Sequence, residues 1–231
     1  MLGVMPFAGP EDELRFALRS YTLRCPWITD MLLIGDHKPR WYTGKWWNSP
    51  QTGRKYKNTT KALSLAVESR FVPKEFILLN DDFHAMKETK EPPRANRGLV
   101  LDTLEHWEKG MNLRSRYVRG ARATLEVLEK AGIDPQTALS FELHIPMVID
   151  KKIMREAISL GSELECFHKR TAFGNLAGIK GRTMEDVKVH GIDQKMPTGQ
   201  WASSSNLTWH TLPFWMAYRD PLNRIKSRWE R

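Results

Sequence analysis

Cysteine is nearly absent from this chain: Cys25 and Cys166 are the two present in 231 residues, far apart and in no CxxC pairing. That usage argues against a disulfide framework and against a thiolate zinc site. Long apolar runs are missing as well, none approaching the ~20 residues needed to cross a bilayer. The opening MLGVMPFAGP has neither the basic start nor the apolar stretch of a signal peptide, so the expectation is a cytoplasmic protein without membrane insertion. The N-x-[ST] matches at Asn58 and Asn206 would then never meet the glycosylation machinery. No Walker loop, GxGxxG, HExxH or GxSxG occurs, which removes the usual P-loop, Rossmann-fingerprint, zincin and α/β-hydrolase readings.

Negative charge is the next scarcity. From His37 to Val67 there is no acidic residue, while Lys38, Arg40, Lys45, Arg54, Lys55, Lys57 and Lys61 are all basic, in a chain of formal net charge +9. Such a balance favours a polyanionic partner: nucleic acid, an anionic surface or a phosphorylated substrate. Trp41, Tyr42, Trp46, Trp47 and Tyr56 are interleaved with these cations, as rings that stack on bases or sugars beside phosphate-binding groups would be. The plainer alternative is a solvated loop with its rings packed underneath. Arg114, Arg116, Arg119 and Arg122 form a second basic stripe.

What is present reads as one domain, residues 1–231, with a basic C-terminal extension from about 212 that either caps the domain or trails from it. LGVMPF suggests a short first strand, EDELRFALRSYTL a helix with acids in its first turn, and MLLIG a buried strand. TTKALSLAVESR is helical from Thr60, and FILLN is the next buried strand. Residues 114–132 make a long helix ending at Gly132, LSFELHIPMVI a strand stopping near Pro146, and DKKIMREAISL a helix capped by Asp150. The stretch from Gly174 to Thr211 is expected to be mostly loop with short strands. Strand–helix alternation of this kind predicts an α/β fold, a mixed sheet flanked by helices.

The strand FILL runs into Asn80, Asp81 and Asp82. Ligands of open α/β sheets bind beyond the carboxyl ends of strands. Adjacent carboxylates there repel each other, and a hard divalent cation such as Mg²⁺ or Mn²⁺ removes the conflict while holding a substrate diphosphate. The alternative is a turn opened by two solvated acids. His144, inside FELHIPM, is a general base or a satisfied core imidazole, and Arg170 a phosphate clamp or a surface pair.

The order of these fragments resembles the central region of the Stealth family, sugar-phosphate transferases of bacterial capsule synthesis related to the lysosomal N-acetylglucosamine-1-phosphotransferase. Glu13, Leu14, Arg15, Leu18, Arg19 and Ser20 match its first element, and Pro26, Trp27, Asp36, Pro39 and Trp41 its middle. Asn80, Asp81, Asp82 and Phe83 match its NDD-Phe strand end, FELHIPM its later His-x-Pro segment and RTAFGN its further arginine. The likeness runs over residues 8–85 and, more loosely, 114–178. The family's Val-rich opening strand is reduced here to LGVMPFAGP.

The resemblance implies a GT-A-like (Rossmann-like) fold and a divalent-metal-dependent glycosyltransferase using a nucleotide-sugar donor. Asp81 and Asp82 would be metal ligands, with Asp82, His144 and Arg170 catalytic. Arg15, Arg19, Asp36 and Asn80 would bind the donor. The acceptor would be a hydroxylated base in DNA or a glycan. Small bacteriophage glycosyltransferases are similar in length and motifs, which would place a phage-encoded member in the host cytoplasm. Two alternatives stand beside this reading: sugar-1-phosphate transfer of the Stealth type, and a catalytically inactive nucleic-acid-binding protein on the same scaffold.

Overall fold

The computed structural model describes residues 1–110, 115–189, 199–204, 222 and 224–231. Its centre is a five-stranded sheet made from β1 (Leu2–Pro6), β2 (Asp30–Gly35), β3 (Lys45–Asn48), β4 (Glu75–Leu78) and β7 (Met147–Asp150), in the order β3-β2-β1-β4-β7. The first four are parallel, and β7 runs antiparallel to β4, with Phe76 opposite Ile149. Side chains alternate strictly across this sheet. Val4, Leu32, Ile34, Phe76, Leu78, Met147 and Ile149 enter one core, and Met5, Met31, Leu33, Ile77 and Leu79 enter the other. Burial on both faces is why the central strands read as unbroken apolar runs.

Helices supply the two covers. Helix α1 (Glu11–Arg24) lays Leu14, Ala17, Leu18 and Tyr21 on one face. The opposite face is covered by α2 (Lys55–Glu68), α5 (Lys151–Leu160) and α6 (Lys169–Leu176), through residues such as Leu63, Met154 and Phe173. Helices α3 (Val100–Gly110) and α4 (Arg116–Lys130) pack on each other around Leu104, Trp107, Val118 and Leu125. Small ladders flank the main sheet: β5 (Phe83–Ala85) with β9 (Trp201–Ser203), and β6 (Ala95–Asn96) with β8 (Arg182–Thr183). The arrangement is mixed α/β with a mainly parallel sheet, as the alternation of the sequence predicts.

Several local expectations need correction. Helix α2 begins at Lys55, not Thr60; Asn58 accepts from the N–H and hydroxyl of Thr52 and ties down the preceding turn. The segment LSFELHIPMVI is not a strand up to Pro146; the strand starts after that proline. Within residues 139–146 three backbone N–H groups are satisfied by side chains: that of Leu139 donates to Asn175, that of Phe141 to Thr171 and that of His144 to Asp186. Helix α6 reaches Leu176, inside the stretch expected to be loop, and the remainder of that stretch does carry the short strands β8 and β9. Helix α4 ends as expected, with Gly132 at φ +85° after the Ala131 cap. Residues 224–231 cap the domain rather than trail from it: Trp229 is buried and its carbonyl accepts from the Thr43 N–H at 2.9 Å. Arg114, Asn206 and much of the tail from 212 lie outside the described residues.

Candidate active site

Strand order reverses between β1 and β4, since the chain builds outward from β1 through β2 to β3 and then returns to the other side. Such a switch point opens a crevice beyond the strand ends. The carboxyl end of β1 leads to Ala8 and Gly9, and that of β4 to Asn80, Asp81 and Asp82. The two ends are tied by the Gly9 N–H, which donates to Asp81 Oδ2 at 3.0 Å. A Cβ on residue 9 would lie 2.6 Å from that oxygen, so a side chain there would force the Asp81 carboxylate to shift.

A third acid joins the pair. Glu13, from the first turn of α1, accepts from the Ser204 hydroxyl. Burial, with the Asp81 and Asp82 carboxylates adding to it, pushes the Glu13 carboxyl up to about 7 despite that hydrogen bond. Burial and then the Asp82 charge raise Asp81 to about 6, against hydrogen bonds from backbone N–H groups at Ala8 and Gly9. Asp82 Oδ2 accepts from the Ser203 hydroxyl at 3.3 Å, and the Asp82 carbonyl accepts from the Ser204 N–H at 3.1 Å. Its other carboxylate oxygen, Oδ1, is buried with no hydrogen-bond partner among the described residues.

No group of three or more His, Cys, Asp or Glu side chains among the described residues is arranged as a complete metal site. The chemistry nevertheless fits a hard cation that takes one or two carboxylates and fills its shell with substrate oxygens. Neighbouring carboxylates, two of them raised by burial and by the charge beside them, with one buried oxygen left unpaired, are what such an ion relieves.

Phe83 is where the distant segments meet. The His144 ring stands edge-on to it, with centroids 5.6 Å apart, and the Arg170 guanidinium lies 5.5 Å from its centroid. Arg170 is 8% exposed and donates from Nη2 to the Ile145 carbonyl. Its Nε and Nη1 are buried without partners, and it forms no ion pair within 4.0 Å among the described residues. Burial pulls its charged form down, while Glu142, Asp186 and Asp82 support it. Lys188 is likewise lowered by burial and supported by Asp186 and Asp82.

His144 is held by Asp186. Nδ1 lies 2.8 Å from Asp186 Oδ2 and 3.1 Å from Oδ1, which also accepts from the His144 backbone N–H at 2.9 Å. Burial alone would raise the Asp186 carboxyl; the His144 contacts and then Arg97, 3.7 Å away, outweigh it and hold the group near 2.

The structure therefore brings His144 and Arg170 to Phe83, next to Asn80, Asp81 and Asp82 beyond the carboxyl end of β4. Asn80 opens the turn, its carbonyl accepting from the Phe83 N–H at 3.3 Å. Asp36 sits at the carboxyl end of β2 on the same edge, exposed, with its carboxylate 2.8 Å from His37 Nδ1. Arg15 and Arg19 are directed elsewhere. Arg19 makes a two-pronged pair with Glu230 at 2.9 Å, and Arg15 Nε lies 3.1 Å from the same carboxylate while its guanidinium covers Trp41 at 4.6 Å.

The rings expected as an aromatic platform over residues 38–57 are half-buried, apart from the buried Tyr42. Tyr42 is buried and donates to the Met31 carbonyl, Trp41 donates to Glu11, and Trp46 and Trp47 pack against opposite cores of the sheet. All seven basic side chains of that segment remain exposed. On α4, Arg116 pairs with Glu165 and Arg122 with Glu108.

Glu13, Asp186, Ser203 and Ser204 join the site without having been singled out by sequence. Glu13 belonged to a matched motif but carried no assigned role; the serines and Asp186 sit in polar stretches with no periodic signal. Among known proteins, no family model and no curated protein matches this chain.

Proposed function

We propose that the crevice at the β1–β4 switch point is the donor site of a divalent-metal-dependent glycosyltransferase with a nucleotide-sugar substrate and a GT-A-like fold. The observation carrying this reading is the unpaired, buried Asp82 Oδ1 beside Asp81, with a buried Arg170 that has two idle nitrogens and a His144 on the same phenyl ring. A surface that exists only to bind an anion gains nothing from three converging carboxylates. The sheet order and the antiparallel β7 are compatible with the fold proposed.

Asp81 and Asp82 would hold Mg²⁺ or Mn²⁺, which when bound neutralises charge on the leaving diphosphate. His144 takes the acceptor hydroxyl proton on Nε2 as the acceptor oxygen bonds to the anomeric carbon. The bond from that carbon to the diphosphate oxygen breaks, and a nucleoside diphosphate leaves. Arg170, low in dielectric and short of partners, stabilises the departing charge. Attack at the β-phosphorus would instead release a nucleoside monophosphate and transfer a sugar phosphate, as in the Stealth resemblance. The acceptor would be a hydroxylated base in DNA or a glycan hydroxyl.

A nucleotide-sugar screen by mass spectrometry, with Mn²⁺, with Mg²⁺ and without metal, tests the reading. Metal-dependent release of a nucleoside diphosphate supports it, and release of a monophosphate supports the sugar-phosphate alternative. No release from any donor, and unaltered turnover in Asp82→Ala, each defeat it.

A further inference from the structure

We infer that Asp186 is a positioning residue that fixes the tautomer of His144, holding the proton on Nδ1 so that Nε2 keeps its lone pair as a base. The inference rests on the transferase reading only for its kinetic consequence; the geometry stands by itself. Asp186 reaches His144 through both oxygens, and it reaches backbone as well as ring. Oδ1 accepts from the N–H groups of His144 and Val187, each at 2.9 Å, and Oδ2 faces Nδ1 at 2.8 Å. A carboxylate offers no proton, so Nδ1 must supply the one in that bond. Nε2 then carries the lone pair, and it has no hydrogen-bond partner among the described residues.

The local chain shows how this is maintained. Residues 187–189 run beside β9: the Ser203 N–H donates to the Val187 carbonyl and the Val189 N–H to the Ser203 carbonyl, both at 3.0 Å. Ser203 also donates its hydroxyl to Asp82. One short segment therefore sets the imidazole through Asp186 and one metal-ligating carboxylate through Ser203. The charged and titratable groups around Asp186 are His144 itself, Arg97, Arg170, Lys188 and Tyr117. Three of these are cations, which keep Asp186 ionised as the partner of a neutral or protonated ring.

Asp186→Asn makes the inference falsifiable by geometry. The carboxamide oxygen keeps the two backbone N–H donors at the Oδ1 position, which turns its NH₂ toward Nδ1. That nitrogen must then accept, and the proton moves to Nε2. Long-range ¹H–¹⁵N spectra of histidine-labelled protein at about pH 8, above the ordinary imidazole range, report the tautomer directly. His144→Gln identifies the signal among the seven histidines.

The expected result is an Nδ1–H ring in the wild type and an Nε2–H ring in Asp186→Asn. Donor turnover should fall on the order of 10²–10⁴-fold in kcat, with donor KM unchanged. An Nε2–H ring in the wild type overturns the inference even if the variant does not fold. So does an unchanged tautomer in a folded variant. If the tautomer inverts but the wild type turns over no nucleotide sugar, the transferase reading fails and the positioning role survives.

Discussion

The Gly9 N–H donates to Asp81 Oδ2 at 3.0 Å, joining the ends of two parallel strands whose sequences are more than seventy residues apart. This bond holds one carboxylate beside the end of β1, and a side chain at residue 9 would disturb it, because a Cβ would sit 2.6 Å from the same oxygen. Gly9→Ala should therefore displace Asp81 while leaving both cores intact. Displacements of about 1 Å at a reacting centre cost ~100-fold in rate, so metal-dependent donor turnover should fall by about that factor with little change in melting temperature. Turnover at the wild-type level would show that Asp81 need not be held there.

Glu13 and Asp81 make the acidic edge costly at neutral pH. Their carboxyls lie near 7 and 6 in the folded protein, above the ordinary values of 4.5 and 3.8, chiefly through burial. A raised carboxyl means the folded state binds protons more tightly than the unfolded one, so this contribution to stability is lost as pH rises from about 4 to about 7. Glu13→Gln removes the Glu13 part of that loss. The variant should match the wild type near pH 4 and exceed it by about 2 kcal/mol near pH 8, as read by denaturant unfolding across the range. Mn²⁺ should stabilise the wild type more at the higher pH, since ion and protons compete for the same oxygens. A constant difference between the two proteins across the range would refute the assignment.

How much of this was legible before the fold is clear from particular residues. MLLIG and FILL are apolar on both faces because Leu32 and Leu33, or Phe76 and Ile77, face different cores, so strands and the Asp pair at their exit could be read directly. His144 was legible as a candidate, but not its setting: Pro146 precedes the strand instead of ending it, and N–H groups before it donate to Asn175, Thr171 and Asp186 from later in the chain. Those partners are chosen by tertiary packing and leave no periodicity. The same holds for Ser203 and Ser204, which lie next to Asp82 only because β5 pairs with β9. Basic and aromatic residues between 38 and 57 were conspicuous as a cluster, yet the period-2 alternation of β3 sends Trp46 and Trp47 to opposite faces of the sheet.

Arg170 separates a structural cation from a functional one. It occupies a buried position, donates to the Ile145 carbonyl and leaves two nitrogens without partners. A guanidinium present for stability would be expected to have its donors satisfied. Arg170→Lys keeps the charge but loses the planar fork, and should lower donor turnover by about 10²–10³-fold, the range found when a donor to developing negative charge is removed. Steady-state kinetics alongside a thermal melt decide it: equal losses of turnover and stability would mark the residue as structural.

Arg15 and Arg19 carry the last test, because the resemblance gives them to the donor while the structure gives them to Glu230. The Glu230 carboxylate is 4% exposed; it receives two bonds from Arg19, lies 3.1 Å from Arg15 Nε and also accepts from the Ser227 N–H. Its neighbour Trp229 enters the core beside Tyr42, and the Arg231 N–H donates to the Trp41 carbonyl. Glu230 thus fastens the final turn of chain across α1 and the loop before β3. Glu230→Ala leaves two arginines without their carboxylate, and breaking a buried pair costs about 3–5 kcal/mol; since Arg15 is 32% exposed, about 3 kcal/mol is expected here. Chemical denaturation measures that loss directly. If these arginines serve only as this fastening, Glu230→Ala should leave donor affinity unchanged in whatever fraction remains folded. If they also reach the donor, freeing them should raise its affinity, and calorimetric titration of the folded variant with the nucleotide sugar separates the two roles.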